Sequence, residues 1–362
     1  MVQNRGVIFK QVPDGLPVPG KDLIVETRQF DLEQEPPSGG LTTKNLYASF
    51  DPYMRGRMRE PEKKSYSPPF TLGKPITTNT VFQVLKSDSP KFKPGDLVHG
   101  NVGIEEYSTA SKEAVDTFKK IENPYKLDPV DFIGALGMPG LTAYSSLYEI
   151  GKPVKGETIF ISAASGAVGQ LVGQLAKHEG LRVIGSVGSD EKLEYIVKEL
   201  NFDGGFNYKK EKPADALKRL APNGVDIYYE NVGGEQLEAA LDTMNDFGRI
   251  VACGMVSEYS KPDSEKYGIK NLMLVVAKRL TMRGFIVGDK NMGPLYAKER
   301  DEKVSKWLHE GSFKSKTSIT DGIDNAPDGF VGMLQVSCLC IQYTPTDTDF
   351  LGYRERILER QH

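Results

Sequence analysis

The chain has 362 residues, 39% of them hydrophobic, which is enough for two ordinary hydrophobic cores. Its formal net charge of -3 excludes a strongly basic surface for nucleic acid and an acidic tail. There is no basic start followed by an apolar leader, and no apolar run is long enough to cross a bilayer, so we expect a cytoplasmic protein.

The cysteine and histidine content does not favour a disulfide framework or a metal centre. None of the three cysteines stands in C-x-x-C, and no cluster has the spacing of zinc ligands. We therefore expect chemistry without a metal. The residues concerned are Cys253, Cys338, Cys340, His99, His178, His309 and His362.

Residues 1 to about 130 are punctuated by proline and glycine, with short apolar segments between the breaks. Asp22–Thr27 and Thr80–Leu85 are predicted strands, and Lys93–Asp96 is a predicted turn that leads into another. Strands of this length and spacing predict a compact, barrel-like β domain.

A βαβ unit is predicted between Glu157 and Lys192. A β-branched strand, Thr158–Ser162, is followed by a turn of small residues and an amphipathic helix, Val168–His178. A second apolar strand follows at Arg182–Val187. This order predicts the first unit of a doubly wound, dinucleotide-binding sheet.

The turn of this unit has the residues of a phosphate-binding loop. Gly166 allows the backbone to approach a pyrophosphate, and Gly169 allows the helix to pack against the strand. Ala164 stands where G-x-G-x-x-G has its first glycine. The glycines alone are as typical of a structural turn as of a nucleotide site, whereas the flanking strands and helix favour cofactor binding.

The end of the second strand predicts NADPH rather than NADH. A site for the unphosphorylated cofactor has an acidic residue there to bind the ribose 2′-hydroxyl, whereas this chain has Gly185–Ser189. Ser189 is the predicted N-cap of the next helix, and Lys192 follows one turn later, where a cation can meet a 2′-phosphate. The alternative is that Lys192 is a solvated lysine that balances Asp190 and Glu191.

Strand and helix continue to alternate after this unit, and six strands in total fit a doubly wound sheet. The further predicted strands are Gly205–Tyr208, Val225–Tyr229, Gly248–Cys253 and Thr281–Val287, and the helices are Glu191–Leu200, Ala214–Leu220 and Glu235–Met244. Ligands of such sheets lie beyond the carboxyl ends of the strands, where this chain has small or hydrogen-bonding residues.

Several ordered motifs between about Asp51 and Leu334 resemble the zinc-independent medium-chain dehydrogenase/reductases. Within these, the sequence is similar to the branch of leukotriene B4 dehydrogenase, prostaglandin reductase and plant alkenal double-bond reductase. The matching segments are Asp51–Arg55, Gly137–Tyr144, Ala163–Gly169, Val187–Lys192, Phe206–Lys209, Glu230–Gly234 and Phe247–Gly254.

This resemblance implies an α/β protein in which a Rossmann doubly wound parallel sheet is joined to a β-rich, GroES-like barrel catalytic domain. The expected boundaries are 1–130 for the first part of the catalytic domain, 131–300 for the Rossmann domain, 301–335 for a return to the catalytic domain, and 336–362 for an atypical tail. The resemblance also implies a homodimer.

The resemblance further implies which residues bind the cofactor. The turn binds the pyrophosphate, Lys192 and Tyr208 bind the 2′-phosphate ribose beside Gly188 and Ser189, and a third group lines the nicotinamide half. The turn residues are Gly166, Ala167, Val168 and Gly169; the third group is Asn231, Cys253, Gly254, Met255, Ser257, Tyr259, Phe285, Ile286 and Val287.

The implied reaction is NADPH-dependent reduction of the carbon–carbon double bond of an α,β-unsaturated aldehyde or ketone. The carbonyl oxygen then needs a hydrogen-bond donor, and Tyr259 is the predicted donor, or the group that positions the ribose and relays a proton. Tyr53 matches a substrate-pocket tyrosine of the family, although a core or rim aromatic is nearly as good an interpretation. For Cys253 we favour backbone contact with the cofactor over thiol chemistry.

Two other functions are compatible with the sequence. Related zinc-free folds reduce quinones with the same cofactor, and an NADPH-binding protein without turnover is a third reading. The matches at Asp51–Arg55 and Gly137–Tyr144 favour the alkenal branch.

The tail after Gln335 departs from the family. A Gly-x-Asn-x-Gly-Lys segment and a last apolar strand are expected there, and Val336–Pro345 has neither. Val336-Ser337 is what an in-frame splice donor encodes, so one hypothesis is a retained intron; the other is a divergent tail. We expect the catalytic domain to lack this strand.

Overall fold

The computed structural model describes residues 1–335 and the backbone of residues 341–344. The chain divides into two compact units. Unit 1 comprises Met1–Glu122, Ser318–Met333 and the strand at residues 341–344, whereas unit 2 comprises Asn123–Thr317 with Leu334 and Gln335. The remaining tail residues, and the splice hypothesis that concerns them, lie outside the described residues.

Fifteen strands are described. They are β1 Val2–Phe9, β2 Leu23–Phe30, β3 Leu41–Ser49, β4 Thr77–Ser87, β5 Leu97–Gly103, β6 Tyr107–Ala110, β7 Lys119–Lys120, β8 Thr158–Ile161, β9 Arg182–Val187, β10 Gly204–Asn207, β11 Val225–Glu230, β12 Met244–Ala252, β13 Thr281–Gly284, β14 Ser318–Asp321 and β15 Ile341–Thr344.

Ten α-helices accompany them within the described part of the chain. They are α1 Met54–Arg57, α2 Lys112–Thr117, α3 Met138–Ser146, α4 Gly169–His178, α5 Asp190–Glu194, α6 Pro213–Leu220, α7 Gly234–Thr243, α8 Met273–Ala277, α9 Gly293–His309 and α10 Ala326–Leu334. Among the described residues, no helix combines the length and apolar character that crossing a membrane requires.

Unit 2 contains the predicted doubly wound sheet. Its six strands are all parallel, in the order β10-β9-β8-β11-β12-β13, so the first βαβ unit lies at the centre and the order reverses beside β8. A switch of this kind opens a crevice at the carboxyl ends of the central strands. The predicted Rossmann fold is confirmed.

Both faces of the central strand β8 are buried, which explains its continuous apolar run. Ile159 and Ile161 contribute to a core cluster with Leu171 and Leu175 of α4. Phe160 points to the opposite cluster, where its ring stacks on Tyr228 at a centroid distance of 5.0 Å. The sheet is therefore covered by a hydrophobic layer on each side.

The predicted last strand, Thr281–Val287, is three residues too long. β13 ends at Gly284, whose register partner is Ala252, the final residue of β12. Cys253 already turns back, because its N–H donates to the carbonyl oxygens of Glu230 and Val251. Within the described part of the chain, Phe285 consequently has no neighbouring strand to pair with. The predicted helix Glu191–Leu200 is also split into α5 and a π-helical turn, Tyr195–Glu199.

Unit 1 is rich in antiparallel strands, as expected for the β domain. β3, β4 and β5 pair in sequence, and β6 pairs with β3. Alternate residues of these strands, including Leu41, Phe82 and Val98, form a buried cluster. β1 and β2 make a separate hairpin pair.

The expectation that no strand follows Gln335 is wrong. β15 pairs in parallel with β14 and antiparallel with β3, where Gln342 lies opposite Ser49 and Tyr343 opposite Ala48. Pairing of this kind needs only an extended backbone, and Ile-Gln-Tyr-Thr has high strand propensity. A sequence that lacks the family's motif can therefore still form the strand at this edge.

Candidate functional site

The turn after β8 is shaped by close approach between backbone atoms. A Cβ at position 169 would collide with the carbonyl oxygen of Ala163 and lie 2.9 Å from the Cα of Ala164. A Cβ at Gly166 would lie 3.1 Å from the same oxygen. Gly169 therefore lets α4 begin directly against the turn, as predicted, so that the N-terminus of the helix lies close to the carboxyl end of β8.

The alanine at the first glycine position has a local explanation. Ala164 is fully buried, and its N–H donates to the Ser186 carbonyl oxygen of β9. A Cβ at Gly185, on the same strand, would lie 2.6 Å from the Ala164 methyl group. The missing side chain is thus that of Gly185 on the neighbouring strand and not that of residue 164. This still allows the turn to approach β9 closely.

Ala163 adopts a conformation that the sequence does not indicate. Its φ is 48°, in the left-handed region that disfavours residues with a side chain. This conformation directs the Ala163 carbonyl oxygen toward the N–H of Gly166, at 2.9 Å. Sequence reasoning missed this residue because alanine carries no left-handed signal.

A groove runs along the carboxyl edge of this sheet, which is where ligands of doubly wound sheets bind. The ends of β8, β9, β10 and β11 and the loop after β12 all contribute to it. Its lining residues are Ala163, Ser165, Gly166, Val187, Gly188, Lys192, Tyr208, Val232, Val256 and Ser257. The structure thus brings together predicted site residues from four separate segments, after β8, β9, β10 and β12.

Lys192 and Tyr208 line the groove beside the ends of β9 and β10. The Ser189 hydroxyl accepts from the Lys192 N–H at 3.3 Å, which confirms the predicted N-cap. Asp190 forms its ion pair with Lys210 and accepts from Asn207 Nδ2 at 2.9 Å. Burial raises the pKa of Tyr208, so its phenol keeps its proton at neutral pH.

The loops after β11 and β12 are connected by backbone hydrogen bonds. Val256 N–H donates to the Asn231 carbonyl oxygen at 3.1 Å, and the Ser257 hydroxyl donates to the Val232 carbonyl oxygen at 2.6 Å. The Asn231 side chain donates to the Ser162 carbonyl oxygen at 2.7 Å. The two loops therefore form one wall of the groove.

Tyr259 lies over this wall and remains 37% exposed. Its hydroxyl oxygen accepts from the Met255 N–H at 3.3 Å, and a Cβ at Gly254 would lie 2.8 Å from that oxygen. Gly254 thus gives the ring space to approach the backbone. A phenol oxygen that accepts an N–H still carries its own O–H, so the group can donate.

Cys253 is held by its backbone. Burial raises the pKa of its thiol to about 12, so the thiolate is not populated at neutral pH. Its N–H donates to the Glu230 carbonyl oxygen at 3.0 Å. The raised pKa disfavours thiol chemistry, and contact of the Cys253 backbone with the cofactor stays a prediction.

Phe285, Ile286 and Val287 do not line the groove that holds the other predicted residues. Phe285 packs against the hydrophobic core, and Ile286 is 37% exposed. The Val287 carbonyl oxygen accepts from Gly293 N–H at the start of α9. Gly188 and Ser257 do contribute to the groove, whereas Met255 contacts Tyr259 beside it.

Tyr53 belongs to unit 1, next to α1. Burial and the neighbouring Asp51 raise the pKa of Tyr53 to about 12. Asp51 is itself buried, accepts from the Ser49 hydroxyl at 3.1 Å, and has its pKa raised to about 6 by burial. An acidic side chain in this setting was not predicted to be perturbed, because the sequence does not reveal burial.

Comparison with known proteins identifies the family. Residues 5–118 match the family described as N-terminal domain of oxidoreductase, and residues 167–301 match that described as zinc-binding dehydrogenase. The chain is 56% identical over 335 residues to NADP-dependent oxidoreductase RED1 of Cochliobolus heterostrophus, covering 92% of this chain and 95% of that one. It belongs to the zinc-independent medium-chain dehydrogenase/reductases.

Two further relatives match nearly the whole length of this chain. The 2-alkenal reductase (NADP(+)-dependent) of Nicotiana tabacum is 44% identical over 337 residues, covering 92% of this chain and 94% of that protein. The crystal structure of CurA in complex with NADPH from Vibrio vulnificus is 31% identical, with a TM-score of 0.85 and coverage of 95% and 99%.

Within the described residues, no group of three or more His, Cys, Asp and Glu side chains is arranged to hold a metal ion.

Proposed function

We propose that this reductase uses NADPH to reduce the carbon–carbon double bond of α,β-unsaturated aldehydes or ketones. The observation that carries the proposal is its likeness, over nearly the whole chain, to a 2-alkenal reductase named as NADP-dependent. The groove along the sheet supports a dinucleotide cofactor. The substrate is a small molecule.

The residues around the turn suit the pyrophosphate of NADPH. Gly166 and Gly169 leave space where a side chain would meet the Ala163 carbonyl oxygen. Ala167 and Val168 complete the turn into α4, whose N-terminus carries the partial positive charge that favours a bound phosphate. We assign Gly166, Ala167, Val168 and Gly169 to the phosphates.

Lys192 and Tyr208 are proposed to bind the ribose 2′-phosphate, beside Gly188 and Ser189. A Cβ at Gly188 would lie 3.1 Å from the Tyr208 hydroxyl, so a side chain there would crowd the phenol. A lysine ammonium and a protonated phenol both donate to phosphate oxygens. Gly188 and Ser189 directly after β9 carry no charge that would repel the phosphate, and the Asp190 carboxylate is paired with Lys210.

Lys192→Ala tests this assignment through cofactor selectivity. We expect the KM for NADPH to rise at least tenfold and the KM for NADH to stay within twofold, because only NADPH carries the 2′-phosphate. Lys198→Ala is the matched control, since Lys198 is exposed and pairs with Glu194. Equal changes for both cofactors would contradict the assignment.

The wall made by the loops after β11 and β12 is proposed to bind the nicotinamide half, with Phe285, Ile286 and Val287 behind it. When bound, NADPH supplies the hydride for the β carbon of the substrate. The Tyr259 hydroxyl is proposed to donate to the substrate carbonyl oxygen, or to position the ribose and relay a proton to the α carbon. Asn231, Cys253, Gly254, Met255 and Ser257 form the wall.

Tyr53 is proposed as a substrate-pocket residue of unit 1. Its raised pKa keeps the phenol protonated across the neutral range, so it can donate but does not act as a base. Its aromatic ring offers an apolar surface to an alkyl chain.

The test of the function is the loss of NADPH absorbance with a medium-chain 2-alkenal. A quinone, a saturated aldehyde and NADH are run in parallel. We expect turnover with NADPH and the alkenal alone. Turnover confined to the quinone would favour a quinone reductase. No turnover, with NADPH still raising the melting temperature, would favour a binding protein and contradict the proposal.

Tyr259→Phe tests the proposed donor. We expect kcat to fall at least tenfold while the protein still binds NADPH, because the phenyl ring keeps the packing and loses the hydroxyl. Tyr125→Phe is the control, since Tyr125 stacks on His309 at 4.9 Å and does not line the groove. An unchanged kcat would remove Tyr259 from the mechanism.

We also propose a homodimer formed through the β13 edge. β13 is the terminal strand of its sheet, and apolar side chains are exposed beside it, with Met273 at 74% and Val276 at 71%. A second copy of this edge would pair the strand and cover α8. Met273→Glu with Val276→Glu should give a monomer by light scattering, whereas Leu295→Glu on α9 should not.

A further inference from the structure

Glu230 is the last residue of β11 and is fully buried (0% exposed). Its carboxylate oxygen Oε1 accepts from the N–H groups of Val232 at 2.6 Å and Gly233 at 2.8 Å. The Ser162 hydroxyl lies 3.2 Å from the same oxygen. One carboxylate oxygen thus organises the turn after β11.

The main chain of Glu230 organises the neighbouring loop as well. Its carbonyl oxygen accepts from the N–H groups of Cys253 and Gly254, both at 3.0 Å. The Ser162 hydroxyl also accepts from Asn231 N–H at 2.8 Å. Glu230 and Ser162 therefore connect the ends of β8, β11 and β12 beneath the wall of the groove.

Burying a carboxyl group at this position is energetically unfavourable. Burial raises the pKa of Glu230, and its second oxygen, Oε2, has no hydrogen-bond partner among the described residues. Its neighbours on β11, Tyr228 and Tyr229, are buried aromatics, so an apolar residue would suit the strand. What an apolar residue cannot do is accept the N–H groups of Val232 and Gly233.

The turn depends on those hydrogen bonds because its backbone is unusual. Gly233 and Gly234 have φ values of 80° and 56°, and α7 starts immediately afterwards at Gly234. A Cβ at Gly233 would lie 3.0 Å from the Met255 Cβ, so the turn is pressed against the loop after β12. A small shift of the turn would move Asn231 and that loop together.

We propose that Glu230 is a positioning residue for the nicotinamide half of the cofactor, acting through the Asn231–Gly233 turn and the Cys253–Gly254 backbone. The inference rests on the proposed function, which assigns these loops to that half. Glu230 does not itself touch the groove, whose lining includes Val232 but not Glu230.

The test compares two ligands on the full-length protein. NADPH spans both halves of the site, whereas adenosine 2′,5′-bisphosphate carries only the adenine ribose and its phosphates. Glu230→Ala should weaken NADPH binding at least tenfold by calorimetry and leave the bisphosphate Kd within twofold. Glu230→Gln keeps an acceptor oxygen, so it should restore NADPH binding to within threefold of the wild type.

Two further variants keep the test decisive. Ser162→Ala removes the bridging hydroxyl with a smaller perturbation, and it should show the same pattern, weakened three- to tenfold, even where Glu230→Ala does not fold. Glu149→Ala is the control, because Glu149 accepts from Tyr296 and Arg283 away from the groove lining; both ligands should bind it normally.

Equal weakening of both ligands by Glu230→Ala or Ser162→Ala would show a general structural role and overturn the inference. Unchanged NADPH binding in both would overturn it too. Failure of the proposed function looks different, because the wild-type protein would then bind NADPH without reducing an alkenal, or would not bind NADPH at all; the second result also overturns the inference.

Discussion

Replacing Asp51 with asparagine will make the stability of the protein less dependent on pH. Asp51 is buried beside Tyr53, and its Oδ2 has no hydrogen-bond partner among the described residues. Burial raises its pKa from the ordinary value of 3.8 to about 6, and the bond from Ser49 offsets only part of this. The buried site therefore favours the neutral carboxyl.

Proton binding determines whether the free energy of unfolding rises or falls with pH. Between pH 3.8 and about 6 the native carboxyl binds more protons than the unfolded one, so the free energy of unfolding falls as pH rises through this window. Across the whole window the free energy of unfolding falls by about 3 kcal/mol, at roughly 1.36 kcal/mol per pKa unit. About 1.4 kcal/mol of it lies between pH 5 and pH 8.

Urea unfolding followed by far-ultraviolet circular dichroism at pH 5 and pH 8 measures this loss. The asparagine variant does not titrate, so the difference in unfolding free energy between wild type and variant should shift by about 1.4 kcal/mol between the two pH values. Asp14→Asn, at an exposed position, is the control and should follow the wild type. Parallel curves for wild type and Asp51→Asn would refute the reasoning.

Three other substitutions have defined outcomes. Gly169→Ala should lower stability by more than about 2 kcal/mol in urea unfolding and abolish NADPH binding, because its Cβ meets backbone atoms; Gly268→Ala, with open space around it, should do neither. Ser189→Ala should cost about 1 kcal/mol of unfolding free energy through the lost N-cap. Cys253→Ser should keep turnover within threefold, and iodoacetamide should leave Cys253 unmodified by peptide mass spectrometry, since its pKa is about 12.

Local signals in the sequence were sufficient for the central βαβ unit. Arg182–Val187 is a strand with the predicted bounds, and α4 ends at His178 as predicted. Apolar runs bounded by glycines, a helical period and a serine cap act over a few residues, so they survive in any tertiary context. The family resemblance then rested on many such segments in order.

Other features were decided by contacts between distant segments. β13 stops at Gly284 because β12 turns away, and Ala164 replaces a glycine because Gly185 lies opposite it. β15 is a strand because β3 and β14 present an edge to it. In the sequence, Glu230 is an ordinary acidic residue at the end of a strand. Only the structure shows that it is buried and accepts hydrogen bonds from five donors in three segments. Burial and pairing are properties of the assembled sheet, so the linear chain does not display them.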